Sequence, residues 1–326
     1  MSDHDRRSSR RIWTEYWTSG RCGCLTDEAP ASARDHIEAL WRGWFLQCPR
    51  AALIIDLACG AGEVARIASS ASEAANLHFA IDGVDLAKLP EGTGSSASQG
   101  KTTIRLHGGV DLARLPFADG SFDCAVSQFG IEYADREGAI RELARVLKPH
   151  ARGLFLVHHS GSVISTTAAS RLEAFAAVIG DGAVLDHARQ TYETISAHAP
   201  EPVVGQRLRQ FRQTLGQATD TYSRQFSWEV NLHEILGFLG DLARNPHMYD
   251  ATDALRRLEA ARETIEAWKC RQESQLAAAQ DKSGMQAFAQ ALGGIGLTSS
   301  EIGIEKDPAT GAVLAWRLEF ARHPRA

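Results

Sequence analysis

Residues 52–69 read Ala-Leu-Ile-Ile-Asp56-Leu-Ala58-Cys-Gly60-Ala-Gly62-Glu-Val-Ala-Arg-Ile-Ala-Ser69, and their pattern decides the fold. A short apolar run ending at Asp56-Leu57 has the length and β-branched content of a buried strand. Two glycines then interrupt it, and Val64, Ile67 and Ala68 resume the apolar pattern on one helical face. A strand that turns through glycines into a helix brings unpaired helix N–H groups and a backbone free of Cβ atoms to one point, which suits it to hold a ligand.

The alternation continues outward from there. Residues 77–86, Leu-His-Phe-Ala-Ile-Asp82-Gly83-Val-Asp85-Leu86, read as a second strand. Residues 102–109, 122–128 and 153–159 read as three more, with a helix from Arg136 to Leu147 that keeps Ile140, Leu143 and Leu147 in register. Strands alternating with helices imply a mostly parallel sheet. From about 163 to 280 the chain becomes rich in Ala, Leu, Arg and Glu at helical periodicity, Leu255, Leu258, Ala261, Ile265 and Trp268 among them. After a last helix, strand patterns return at 296–307 and 312–322, joined by the turn Pro308-Ala-Thr-Gly311. The expected fold is therefore α/β: a Rossmann-like, doubly wound, seven-stranded sheet with a C-terminal antiparallel hairpin and a large helical insertion.

Four segments follow. Residues 1–50 form an N-terminal helical cap, with Trp13, Tyr16 and Trp17 and then a helix from Ala31 to Phe45 carrying Ile37, Leu40, Trp41 and Trp44. Residues 51–162 form the nucleotide-binding core, 163–282 the helical insertion, and 283–326 the last helix and hairpin that complete the sheet. The Gly/Ser-rich stretch Leu89 to Lys101 reads as a mobile surface loop.

Composition narrows the function. A chain of 326 residues, 44% hydrophobic and 23% charged, has the makeup of a globular protein with a sizeable core. A formal net charge of −5 disfavours nucleic acid as a partner, and Arg207, Arg209, Arg212, Arg256 and Arg257 are interleaved with acids as on a solvated helix face. No apolar run reads as long enough to span a bilayer, and no secretory signal is recognisable, so the expected location is the cytoplasm. Six cysteines, at 22, 24, 48, 59, 124 and 270, lack the paired spacing of a zinc site, so no metal is expected.

Asp85 stands at the carboxyl end of the second strand, where an acidic side chain accepts hydrogen bonds from both hydroxyls of a ribose. Asp82, on the same strand, is the alternative. A dinucleotide site is disfavoured because Ala65 stands where the last glycine of that fingerprint belongs.

Downstream, Gly109-Val-Asp111-Leu112-Ala-Arg-Leu-Pro-Phe-Ala-Asp-Gly-Ser-Phe122-Asp-Cys-Ala-Val and then Ile140-Arg-Glu-Leu-Ala-Arg-Val-Leu-Lys148-Pro149 complete a longer series. Over about residues 51–160 it resembles the class I S-adenosylmethionine (SAM)-dependent methyltransferases, closest to the ubiquinone/menaquinone-biosynthesis type and its small-molecule relatives. The resemblance implies SAM as cofactor and S-adenosylhomocysteine as product. It places Asp56, Gly60 and Gly62 at the methionine part, Asp85 with Leu86 at the ribose, and Asp111 with Leu112 at the adenine edge. Gln128 and Phe129 fall at the boundary between cofactor and acceptor. Ala58 departs from the family pattern, which often has another glycine there.

The resemblance further implies methyl transfer to an O, N or C atom of a small-molecule acceptor. The tetrapeptide Ser127-Gln-Phe-Gly130 lacks the Asn/Asp-Pro-Pro-Tyr form of common amide- and base-amine enzymes, so a protein or RNA methyltransferase is the runner-up, with a catalytically silent SAM-binding partner subunit behind it. Transfer to an amine or hydroxyl gains from a base. His158 and His159 end the fifth strand, and because adjacent strand residues face opposite ways, at most one faces a pocket there. Either one could equally be a packed histidine. Tyr133 and Glu132 follow the fourth strand and are candidates to orient an acceptor. Trp13, Tyr16 and Trp17 read as a lid over the cofactor or as a packed amphipathic helix. The insertion reads as a substrate lid or a homodimer interface.

Overall fold

A computed structural model describes residues 3–18, 30–89, 102–226 and 230–322. Cys22, Cys24 and nearly all of the Gly/Ser-rich loop lie outside the described residues.

The chain divides into two compact units, one of residues 1–166 with 275–326 and one of residues 167–274. In the first, α1 (Asp3–Thr18) and α2 (Ala31–Phe45) precede β1 (Leu53–Leu57), α3 (Glu63–Ala75), β2 (Ala80–Asp85), β3 (Thr103–Gly108), β4 (Phe122–Gln128), α4 (Arg136–Val146) and β5 (Leu147–His158). Then α5 (Val163–Ile179) leads out of this unit. The helices α6 (Val184–Ser196), α7 (Glu201–Thr221), α8 (Val230–Arg244) and α9 (Ala251–Ala278) follow, and α10 (Lys282–Gly294), β6 (Leu297–Lys306) and β7 (Val313–Arg322) close the chain.

The seven strands form one sheet in the order β3-β2-β1-β4-β5-β7-β6. The first five are parallel, and β7 pairs antiparallel with both β5 and β6. The order reverses between β1 and β4, so the carboxyl ends of these two strands border the crevice where such sheets bind ligands.

Both faces of the sheet are covered, which explains why its strands read as nearly continuous apolar runs rather than alternating ones. Ile54, Ile81, Val126, Leu154 and Leu156 pack with Trp41, Phe45 and Ala68 of α2 and α3. Ile55, Leu57, Val84, Phe155 and Val157 point the other way, onto Leu143 of α4 and Phe288 and Leu292 of α10. By the same alternation, His158 continues the Leu154 and Leu156 face and His159 the opposite one.

The second unit has its own core, in which Phe175, Leu185, Tyr192, Phe211, Leu239, Leu242, Leu258 and Ile265 are buried. An 18-residue window within the stretch Val163–Ser196 has the length and composition of a membrane span, with a third of that window buried. The stretch is broken at residues 180–183, and its parts, α5 of 17 residues and α6 of 13, are each shorter than the span needs.

Candidate active site

The carboxyl ends of β1, β2, β4 and β5 lie along one edge, and the loops that leave them build the site. After β1, the chain turns through Ala58 (φ 54°), Gly60 (φ 50°) and Gly62 (φ 84°), all left-handed. Glycine adopts that region freely, whereas Ala58 pays a strain of about 1 kcal/mol there. Its Cβ lies against Gly130, where a second side chain would collide with it.

Asp85 fastens this loop. Its Oδ2 accepts from the Gly60 N–H at 2.8 Å and its Oδ1 from the Ala87 N–H at 2.8 Å, and the residue is only 7% exposed. The Val110 N–H donates to the Asp85 carbonyl and the Gly109 N–H to that of Ala87, which brings Asp111 and Leu112 alongside. Asp111 Oδ1 caps its own turn by accepting from the Ala113 N–H at 2.9 Å, while the Leu112 side chain is buried in the sheet core. Asp82, by contrast, is held by Arg105 at 2.9 Å and His107 at 2.8 Å and takes no part in the loop.

Asp56, next to last in β1, is 1% exposed, and its Oδ2 has no hydrogen-bond partner. Burial, reinforced by the negative charge of Asp85, pushes its carboxyl up to about 8, against the pull of the Ala65 N–H. Burial raises Asp85 as well. Two buried carboxylates, one with an open oxygen, form a cradle for a cationic ligand that carries hydroxyls.

Aromatic side chains of α1 close over the cradle. Tyr16 and Trp17 are buried against Ala61 and Ala87, and the Trp17 ring occupies the space that a Cβ on Gly60 would need. Thr14 Oγ1 accepts from the Lys88 N–H at 3.0 Å, which fixes α1 to the end of the second strand.

The acceptor side lies after β4 and β5. Gln128, expected at the cofactor boundary, has its side chain engaged elsewhere: Oε1 accepts from Trp41 Nε1 at 2.5 Å and Nε2 donates to Glu63 at 3.0 Å. Phe129 follows in the left-handed region (φ 54°), with its ring centroid 4.6 Å from that of His158. Tyr133 sets its ring edge-on to His158 at 5.8 Å and to Trp13 of α1 at 5.4 Å.

The two histidines part as strand alternation requires. His159 stacks on Trp316 at 4.5 Å and accepts from the Gly161 N–H through Nδ1, on the side away from the aromatic group. His158 has a side chain 5% exposed, and its Nδ1 lies 2.7 Å from Oε1 of Glu132, a carboxylate with no exposed surface. The same Oε1 accepts from the His158 backbone N–H at 2.8 Å. A carboxylate can only accept, so this contact puts a proton on Nδ1 and leaves the neutral ring's Nε2 with a lone pair, the form of a general base. Sequence reasoning named both residues without joining them. The available signal was a carboxylate just past β4 and a histidine ending the neighbouring β5, one strand spacing away.

Residues 55–155 match the family model described as a methyltransferase domain. No curated protein matches the chain. Among solved structures, the 1,6-didemethyltoxoflavin-N1-methyltransferase of Burkholderia thailandensis is similar, at 11% identity over 99% of this chain and 92% of that one, with a TM-score of 0.48. Geranyl diphosphate C-methyltransferase of Streptomyces coelicolor A3(2) is similar at 15% identity over 47% of this chain and 64% of that one, with a TM-score of 0.32. Likenesses this distant carry no argument about chemistry.

Proposed function

We propose that this chain, whose residues 55–155 match a methyltransferase domain, is a class I SAM-dependent enzyme that transfers the methyl group to an oxygen or nitrogen of a small-molecule acceptor that His158 deprotonates. The Glu132–His158 pair beside the cofactor loop carries this reading.

The cradle fits SAM. The open Oδ2 of Asp56 would take the ammonium of the methionine part, and the amides of the glycine loop its carboxylate. Asp85 would hold the ribose hydroxyls with the lone pairs left by Gly60 and Ala87, and Asp111 with Leu112 would border the adenine. Bound SAM supplies a methyl carbon that its sulfonium already makes electrophilic. The chain's own work is then to align the acceptor, exclude water and take one proton. Glu132 fixes the tautomer and ring plane of His158, Nε2 receives the proton, and Trp13, Trp17 and Phe129 wall the site against water. His159 has no role in this reading.

The test compares His158→Ala with the parent protein in SAM binding and in formation of S-adenosylhomocysteine over a panel of hydroxyl and amine acceptors. SAM affinity should hold within about twofold while turnover falls about 10²- to 10⁴-fold. A folded, SAM-binding parent protein that methylates no member of the panel would instead favour the partner-subunit reading.

A further inference from the structure

We propose that a cleft between α7 and α8 is a second ligand site, for an elongated organic acid with a carboxylate head and an apolar body. The cleft lies wholly within the second unit, so the inference does not depend on the methyl-transfer reading.

The two helices run antiparallel, and a contact closes the cleft at each end. Tyr222, just past the end of α7, sets its ring 6.1 Å from that of His233, near the start of α8. Arg212, in the middle of α7, donates through Nε to the Ala243 carbonyl near the end of α8 at 2.9 Å. The cleft between these contacts has a volume of about 560 Å³, within the range of small-molecule sites. The helical rise from Arg212 to Tyr222 makes it about 15 Å long.

Its middle is lined by glycines: Gly216 of α7, and Gly237 and Gly240 of α8, all inside helices and none in the left-handed region. A glycine inside a helix costs stability relative to alanine, so it has a reason in packing or function. Packing does not supply one here. A Cβ on Gly216 or Gly237 would have nothing within 4 Å, and one on Gly240 would meet only the Arg244 guanidinium, at 3.8 Å. The helices forgo stability at three places and gain only room along the cleft.

Charge decides the polarity of the ligand. Arg212 and Arg244 line the same end, where α8 stops. The bond to Ala243 fixes the Arg212 guanidinium through Nε, and among the described residues no carboxylate pairs with it. Its two terminal nitrogens are the fork that binds a carboxylate through two parallel bonds. Arg244 folds back over Gly240, with Asp241 3.8 Å away. Among the described residues, Asp220 is the only carboxylate in the lining; it stands toward the other end and pairs with Arg224 at 3.6 Å. Leu215 and Leu236 supply apolar wall beside the glycines for the body of the acid.

The experiment titrates the full chain by calorimetry with octanoate and 4-phenylbutyrate, and with octanol and octylammonium as uncharged and cationic counterparts. At least one acid should bind with Kd below about 1 mM, and about tenfold or more tighter than octanol or octylammonium. Arg212→Gln should remove that advantage and leave octanol binding unchanged. Gly237→Leu should abolish binding of every probe while Tm holds or rises, since leucine is the better helix former and its side chain enters open space. A fall in Tm would show that the glycine serves packing and would overturn the proposal. So would no binding of either acid at about 10 mM, equal affinity for octanol or octylammonium, or acid binding that neither variant weakens. A parent protein that sediments as a dimer and becomes a monomer in Gly237→Leu would also overturn it, giving the glycine face to a second copy of the chain.

Discussion

Binding of SAM at pH 7 should expel about 0.9 of a proton from Asp56. The carboxyl sits at about 8 in the free protein, held there by burial first and by Asp85 second, so it is protonated in a fraction 1/(1 + 10^(7−8)), about 0.9, of molecules. An ammonium at the open Oδ2 favours the ionised form and drives that proton off. The assay is isothermal titration calorimetry at pH 7 in buffers of different ionisation enthalpy, whose dependence on buffer gives the protons released. The ligand's own amino group, ordinarily near 7.7–8.0, titrates in the same window, so the readout is the difference between the parent protein and Asp56→Asn. That difference should be about 0.9 at pH 7 and fall to about 0.1 at pH 9, with the affinity advantage of the parent protein shrinking about tenfold for each pH unit that the pH falls below 8. Stability follows the opposite sign. A carboxyl raised in the fold binds more protons folded than unfolded between its ordinary value of 3.8 and about 8, so the ligand-free protein loses stability as pH rises through that window. Asp56→Asn should therefore raise Tm more at pH 8.5 than at pH 5. Equal proton release by the parent protein and Asp56→Asn at pH 7 would refute the reasoning.

Three further outcomes follow from the site. Glu132→Gln keeps a carbonyl oxygen for Nδ1 and the backbone N–H of His158 but removes the negative charge that stabilises the protonated imidazole, and kcat should fall about 10-fold or more while SAM affinity is unchanged in calorimetry. His159→Ala should leave kcat within about twofold and lower Tm, since it removes only the stack on Trp316 and the bond from Gly161. Gly60→Ala should cost about 1–3 kcal/mol in denaturant unfolding, from its left-handed φ of 50° and from collision with Trp17; in a double-mutant cycle, Trp17→Ala should return the collision part and not the backbone part.

Much of the sheet was legible because each strand carries its own signal. The apolar runs at 122–128 and in the glycine-loop unit, and the helical spacing of Ile37, Trp41 and Trp44, are local patterns, and α2 has the bounds read from them. The start of β5 was not legible. It begins at Leu147, six residues before the apolar run at Gly153, because Lys148-Pro-His150 is polar and turn-like, and only pairing of Leu147 with Phe122 shows it as strand. In the site, Asp85 was named from its position at the carboxyl end of a parallel strand, while Asp56 and Gly60 came with the family resemblance. What Gln128 does was not accessible in that way. Its bonds to Trp41 and Glu63 depend on how α2 and α3 dock, and the partners stand 87 and 65 residues away. The choice between His158 and His159 needed one fact beyond strand alternation: which face of β5 looks toward the turn after β4.

The central claim, that the glycine loop and Asp85 hold SAM, is tested most directly by measuring SAM and S-adenosylhomocysteine affinity for the parent protein and for Asp85→Asn, with circular dichroism to establish that both are folded. The parent protein should bind at micromolar concentration and Asp85→Asn at least about tenfold more weakly, because its amide keeps only one acceptor oxygen for Gly60, Ala87 and the ribose. Folded parent protein that binds neither ligand, or Asp85→Asn that binds both as tightly as the parent, would contradict it.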